Sequence, residues 1–127
     1  MVAFVSDIDQ LSAPTATSAA SAVNAIDLQH LSRMTLGERS LEREVLALFD
    51  RQAEMLLPRI RCGQPAVATA SAHTLKGSAV GIGAWRVARA AEAVEQAKNG
   101  DFYAAINALD QAIAETKAEI ANLLRAH

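Results

Sequence analysis

The stretch from Ser71 to Val80 holds the residues of this chain that are best suited to chemistry. Imidazole is a good nucleophile that ionises near neutral pH, so a ring nitrogen of His73 could accept a phosphoryl group. Lys76 follows one helical turn later, where its ammonium could offset the negative charge of that group. Gly77 costs a helix about 1 kcal/mol relative to alanine. It also leaves room beside the imidazole for the active site of another protein.

Helical periodicity divides this stretch into two faces, because positions three, four and seven apart lie on the same side of a helix. The face predicted to be exposed contains Ala66, Thr69, Ala70, His73, Lys76, Gly77 and Val80. The face predicted to pack against other helices contains Val67, Ala68, Ser71, Leu75, Ser78, Ala79 and Ile82. A lone histidine on a helix is more often an ordinary surface or core residue, so the interpretation depends on the combination of His73 with its neighbours.

The segment His73-Thr-Leu-Lys-Gly-Ser-Ala79, followed by Gly83-Ala84 and Ala93-Val94-Glu95, resembles the histidine-containing phosphotransfer (HPt) family of bacterial phosphorelays. The resemblance extends from about Ala25 to the C-terminus. It implies a four-helix bundle that is phosphorylated on its histidine. The implied partners are response-regulator receiver domains, which carry a phosphoaspartate, and a sensor histidine kinase, including the hybrid type.

The residues around His73 supply the candidates for supporting the phosphoryl group or the docked partner, which are Thr69, Lys76, Gly77, Val80 and Glu95. The resemblance places Glu95 on the adjacent helix, at a position from which the family can bond the ring. A carboxylate there would hold one imidazole N–H and fix which nitrogen attacks. A solvated glutamate explains the residue equally well. The chain departs from the family pattern at Gln64-Pro65, where an acidic residue is common, and at Glu95, where glutamine can occur.

The apolar periodicity predicts an all-α fold, an antiparallel up-down four-helix bundle with a short extra N-terminal helix. The short helix begins after Asp27 as N-cap and ends near Gly37. The four long helices are predicted at Ser40 to about Ile60, Pro65 to Gly81–Gly83, Ala84 to Lys98, and from an Asp101 cap onward. Pro58 is expected to kink or end the first of these within its last turn. The apolar surface of that helix is wider than one partner requires, so part of it is expected either to cover the short first helix or to form an apolar docking patch near His73.

Length and composition set the class of protein. The 127 residues and their 51% apolar content suit one domain with a core, predicted at residues 25–127 after a flexible leader at residues 1–24. The formal charge is −2, and no basic cluster suggests binding to nucleic acid or an anionic membrane. The single cysteine, Cys62, excludes an internal disulfide and a cysteine metal site. The start of the chain lacks a secretion signal, so a cytoplasmic location is expected. A self-contained bundle with a balanced surface favours a monomer.

The motifs of other activities are missing from the sequence. It contains no Gly-rich phosphate loop, metal-ligand pair or Ser/His/Asp set, so a phosphoryl carrier without its own enzymatic activity is expected, with no cofactor. The magnesium that assists phosphoryl transfer would come from the receiver partner. Two alternatives remain open. One is the dimerisation bundle of a sensor kinase, which usually has an acidic residue where this chain has Thr74. The other is a helical adaptor in which His73 is never phosphorylated.

Overall fold

A computed structural model describes residues 24–62 and 64–126, and these contain helices and no strand. In chain order the α-helices are α1 (Leu28–Met34), α2 (Arg39–Cys62), α3 (Pro65–Ile82), α4 (Trp85–Gln96) and α5 (Phe102–Ala126), with a 3-10 turn at Asn99–Asp101. The predicted all-α bundle with a short first helix is therefore confirmed. The leader predicted for residues 1–24 lies outside the described residues, except for Asn24.

The four long helices form a closed ring in which each packs against the next along the chain and α5 returns to α2. The direction of packing is visible in the contacts between α2 and α5. Near the start of α2, the guanidinium of Arg43 donates to the backbone oxygen of Leu124, at 2.9 Å. Near its end, Arg61 pairs with Asp110. Because the partner's number falls as the number along α2 rises, the two helices run antiparallel.

The core is made of one apolar stripe from each helix, as binary patterning requires. On α5 the residues spaced by threes and fours are all buried, namely Ile106, Leu109, Ile113, Thr116 and Ile120. Phe102 and Leu123 extend this stripe as partly buried residues. The strongest periodicity in the sequence thus predicted the buried face of α5. Alanines supply much of the buried surface of α3 and α4, which lets these two helices pack closely together.

The short helix α1 is fastened to the C-terminal end of α3. Asp27 caps α1 by accepting from the backbone N–H of His30 at 3.1 Å, and it also accepts from Nε1 of Trp85 at 3.0 Å. The His30 ring donates from Nε2 to the backbone oxygen of Val80 at 2.9 Å. Gly83 ends α3 with a φ of 77°, and a Cβ there would lie 2.9 Å from the backbone oxygen of Asp27. Glycine is therefore required at this contact.

Two predicted helix features differ from the structure. Helix α2 continues through Pro58 to Cys62, two residues beyond the predicted end, so proline does not stop it. Proline cannot bond the carbonyl of Glu54, but both residues are exposed, and water can replace that bond. Asp101 lies in the 3-10 turn that precedes α5. The ring of His30 also contacts the ring of Trp85, which the sequence did not predict.

Candidate functional site

Helix α3 presents the two predicted faces almost unchanged. Its buried residues are Ala68, Ser71, Ala72, Leu75, Ala79 and Ile82. The prediction was wrong for Val67, which is exposed. Ser78 is half-buried, and its hydroxyl donates to Gln52 on α2. Ala72 was assigned to neither face and is fully buried. The remaining face contains His73 and points away from the core.

His73 combines exposure with a fixed orientation. Its side chain is 72% exposed, and its Nδ1 lies 2.6 Å from Oε2 of Glu95. An ionised carboxylate can only accept, so Nδ1 carries the proton of the neutral ring. The other nitrogen, Nε2, then keeps its lone pair. The ring therefore offers one nucleophilic nitrogen on the exposed face of α3.

Glu95 occupies the position on α4 that lets one carboxylate contact two residues of α3. Its side chain is 14% exposed, and its second oxygen accepts from Nζ of Lys76 at 3.1 Å. Burial raises the pKa of the Glu95 carboxyl, but hydrogen bonds from Lys76 and His73 outweigh that effect and hold the pKa below its ordinary value. Glu95 is therefore ionised at neutral pH, and its contact with the ring is a charge-assisted hydrogen bond.

Lys76 contacts Glu95 on the neighbouring helix, a contact that the sequence did not predict. The position of its ammonium beside a phosphoryl group on His73 stays a prediction. Because Glu95 contacts the ring at Nδ1, Lys76 neutralises the carboxylate that orients the imidazole. The sequence indicated the contacts among His73, Glu95 and Lys76 only weakly, because they depend on how α3 packs against α4.

The other predicted residues lie on the surface around the imidazole. Thr69 precedes His73 by one turn, within a shallow depression that also includes Ala70, Thr74 and Glu95. Gly77 follows by one turn, and a Cβ added there would meet no atom within 4 Å. The packing of the residues that the structure describes thus gives no reason for glycine at that position. Val80 lies one further turn along and is also exposed.

An apolar groove continues from this face toward α2. The groove is lined in part by Met34, Leu41, Leu48, Gln52, Ser78 and Gly81. Leu48 and Met55 are 46% and 52% exposed, and together with Leu41 they are spaced by sevens on α2. Residues seven apart lie on one side of a helix, so these side chains form an exposed apolar stripe. The contact between Gln52 and Ser78 places this stripe beside α3. The sequence predicted that α2 has excess apolar surface, and the structure identifies Leu41, Leu48 and Met55 as exposed residues of that surface.

Two further findings, on metal ligands and on membrane spans, concern the described part of the chain alone. Residues 24–62 and 64–126 contain no group of three or more His, Cys, Asp or Glu side chains that could hold a metal ion. None of the helices in these ranges is long and apolar enough to cross a membrane.

Comparison with known proteins gives a consistent result. The family model of the Hpt domain matches residues 44–126 of the chain. Among solved structures, the chain is similar to the histidine phosphotransferase ShpA from Caulobacter crescentus, with a TM-score of 0.69 and 26% sequence identity. That similarity covers 81% of this chain and 93% of ShpA. No curated protein sequence gave a match. Since the family model matches more than half of the residues, the chain belongs to the Hpt domain family and acts in a phosphorelay as a histidine phosphotransfer protein.

Proposed function

We propose that His73 is the residue that carries the phosphoryl group in this domain, and that Nε2 is the atom that binds it. The observation that carries this proposal is the contact between Nδ1 of His73 and Oε2 of Glu95, at 2.6 Å. It occupies one ring nitrogen and leaves the other unprotonated on an exposed surface. A histidine held in one tautomer and open to solvent is suited to accept a group from another protein.

The proposed reaction exchanges the group with an aspartate of a receiver domain. The lone pair of Nε2 attacks the phosphorus of the aspartyl phosphate, the P–O bond to the aspartate breaks, and the carboxylate leaves with the electron pair. The reverse reaction passes the group to a second receiver. The domain contributes the nucleophile and its orientation. Under this proposal the receiver supplies the acidic pocket and the magnesium that neutralises the transferred charge, and the domain has no cofactor and no turnover alone.

The surface around His73 supports docking of a compact partner. Gly77 adds no side chain beside the ring, and the exposed groove between α2 and α3 adds an apolar surface that includes Ser78 and Gly81, one to two turns beyond His73. Apolar patches of this kind on a surface usually mark a site of interaction. We propose that a receiver covers both, with its aspartate opposite Nε2 of His73.

The remaining expectations are part of the same proposal. The domain acts as a monomer in the cytoplasm and binds neither nucleic acid nor a membrane. The nearly balanced charge, with 12 basic and 14 acidic side chains, supports this because it provides no strongly basic surface. A closed bundle whose core contains one buried apolar stripe from each long helix also needs no second copy to complete that core.

A transfer assay with a phosphorylated receiver tests the proposal. Wild type is expected to acquire an acid-labile, base-stable label, and His73→Gln is expected to acquire none. His30→Gln is the matched control, because it removes the other described histidine, whose ring joins α1 to the backbone oxygen of Val80 on α3. Label on His73→Gln would place the phosphoryl group elsewhere. Label on no protein across a panel of receivers, with binding retained, would favour the adaptor.

A further inference from the structure

The residue that contacts Nδ1 of His73 is a carboxylate rather than a neutral amide. A glutamine at position 95 could accept the same hydrogen bond from the ring through its amide oxygen. It would carry no charge, and it would form no ion pair with Lys76. The glutamate adds a negative charge at 2.6 Å from Nδ1, in a side chain that is 14% exposed. At such a site a charge acts more strongly than in water.

The charge matters most after phosphorylation. When Nε2 donates its lone pair to phosphorus, the ring becomes a cation with its proton still on Nδ1. If that proton is lost, the outgoing step returns the electron pair of the N–P bond to a ring without a proton. The leaving group is then an imidazolate anion, which leaves poorly. If the proton is retained, the ring leaves as neutral imidazole and no proton has to be taken up.

Resting on the function proposed above, we infer that Glu95 retains the Nδ1 proton on phosphorylated His73 and so keeps the ring ready to donate its phosphoryl group. The ionised carboxylate stabilises the cationic ring through a charge-assisted hydrogen bond. Both transfers, onto Nε2 and away from it, then proceed without gain or loss of a proton. Glu95 is a positioning residue in this scheme, because it acts on phosphorus only through the ring.

Lys76 sets the strength of this effect. Its ammonium contacts the other oxygen of Glu95 at 3.1 Å. This partly neutralises the carboxylate and weakens its attraction for the cationic ring. Loss of Lys76 should therefore make Glu95 hold the proton more firmly, whereas loss of the carboxylate should release it. A purely structural role for the pair predicts the same direction for both changes.

Two other charged groups of α4, Glu92 and Arg86, have partners of their own. The groups that act on the Glu95 carboxyl are Lys76 and His73, both on α3. On α4, Glu92 is exposed and accepts from Gln96. Arg86 on α4 forms an ion pair with Glu115 on α5. Arg86 lies nine residues before Glu95.

The test compares the full chain with three variants, Glu95→Gln, Lys76→Met and the control Glu92→Gln. Each is phosphorylated by the same receiver, and transfer to a fresh receiver is followed from about pH 6 to about pH 9. Dividing each variant's rate by that of wild type cancels the receiver's own pH dependence. Nitrogen-15 NMR of labelled histidine reports directly whether Nδ1 of the phosphorylated ring carries a proton.

The expected results differ in sign. In Glu95→Gln, Nδ1 loses its proton about one pH unit lower than in wild type, and the relative transfer rate falls about tenfold toward high pH. Lys76→Met shifts the loss of the proton to higher pH, and Glu92→Gln leaves it unchanged. Identical profiles for wild type and Glu95→Gln, or shifts of both site variants in one direction, would overturn the inference. Failure of wild type to acquire any label would instead refute the proposed function.

Discussion

Nζ of Lys76 lies 3.1 Å from Oε1 of Glu95, so the cation one turn after His73 neutralises a carboxylate of the protein itself. The other oxygen of that carboxylate contacts Nδ1 of the ring. Lys76 therefore acts on the imidazole through Glu95.

This arrangement predicts a modest effect for Lys76→Ala. Without the ammonium, the charge of Glu95 is uncompensated and repels an approaching phosphoryl group. Because the ring that receives the phosphoryl group is exposed and water and salt screen this repulsion there, we expect transfer from a receiver to slow about two- to fivefold at low salt. Single-turnover rates at low and high ionic strength measure this. An unchanged rate and an unchanged phosphohistidine lifetime would reduce Lys76 to a surface charge.

Gly77 gives a steric prediction. Gly77→Leu should keep the helix content of the chain, since a Cβ at this position meets no atom within 4 Å. It should abolish transfer, because the new side chain occupies the space beside the ring that a receiver must enter. Circular dichroism and the transfer assay together separate these effects. Ala118→Leu on the exposed face of α5 is the control and should leave transfer intact. Equal rates for Gly77→Leu and wild type would remove the docking explanation for this glycine.

The same substitution at two glycines should change stability in opposite directions. Gly77→Ala lies within α3 and in open space, so it should raise the free energy of unfolding by about 0.5–1 kcal/mol. Gly83→Ala should lower it by about 1–2 kcal/mol or more, because alanine disfavours a φ of 77° and its Cβ approaches Asp27. Urea denaturation of both variants measures the two changes. Stabilisation by Gly83→Ala would contradict the tight contact between α1 and α3.

Asp27 links the attachment of α1 to pH. A hydrogen bond from Trp85, and next one from the backbone of His30, hold the pKa of Asp27 below its ordinary value. A carboxylate with a lowered pKa in the folded state stabilises the fold above its unfolded pKa, near 3.9, and loses that effect as pH falls through the folded value. Asp27→Ala should therefore cost about 1 kcal/mol at neutral pH as the loss of an N-cap. The cost should shrink near pH 3, and an equal cost at both pH values would contradict this assignment.

The sequence predicted features that depend on one helix at a time. The buried face of α5 follows from the regular spacing of its apolar residues. The faces of α3 follow from helical spacing counted from His73, with Val67 as the exception. The sequence placed Glu95 on the neighbouring helix but left open whether it bonds the ring. Settling that question, and finding the contact of Lys76 with the same carboxylate, required the packing of α3 against α4. The ring of His30 was likewise missed, because its acceptor is a backbone oxygen fifty residues away, which leaves no residue-type signal.

The exposed stripe on α2 provides the last prediction. Leu48 is 46% exposed and lines the groove between α2 and α3, so its side chain contributes little to the core of the free protein. Leu48→Glu should therefore change the free energy of unfolding by less than about 1 kcal/mol, while burial of a charge in the docked complex weakens receiver binding at least tenfold. The control is Tyr103→Glu, which places the same charge at an exposed apolar residue of α5 that does not line the groove. Isothermal titration calorimetry with a receiver measures both affinities. Equal affinities for Leu48→Glu and wild type would show that the receiver docks on His73 without covering α2.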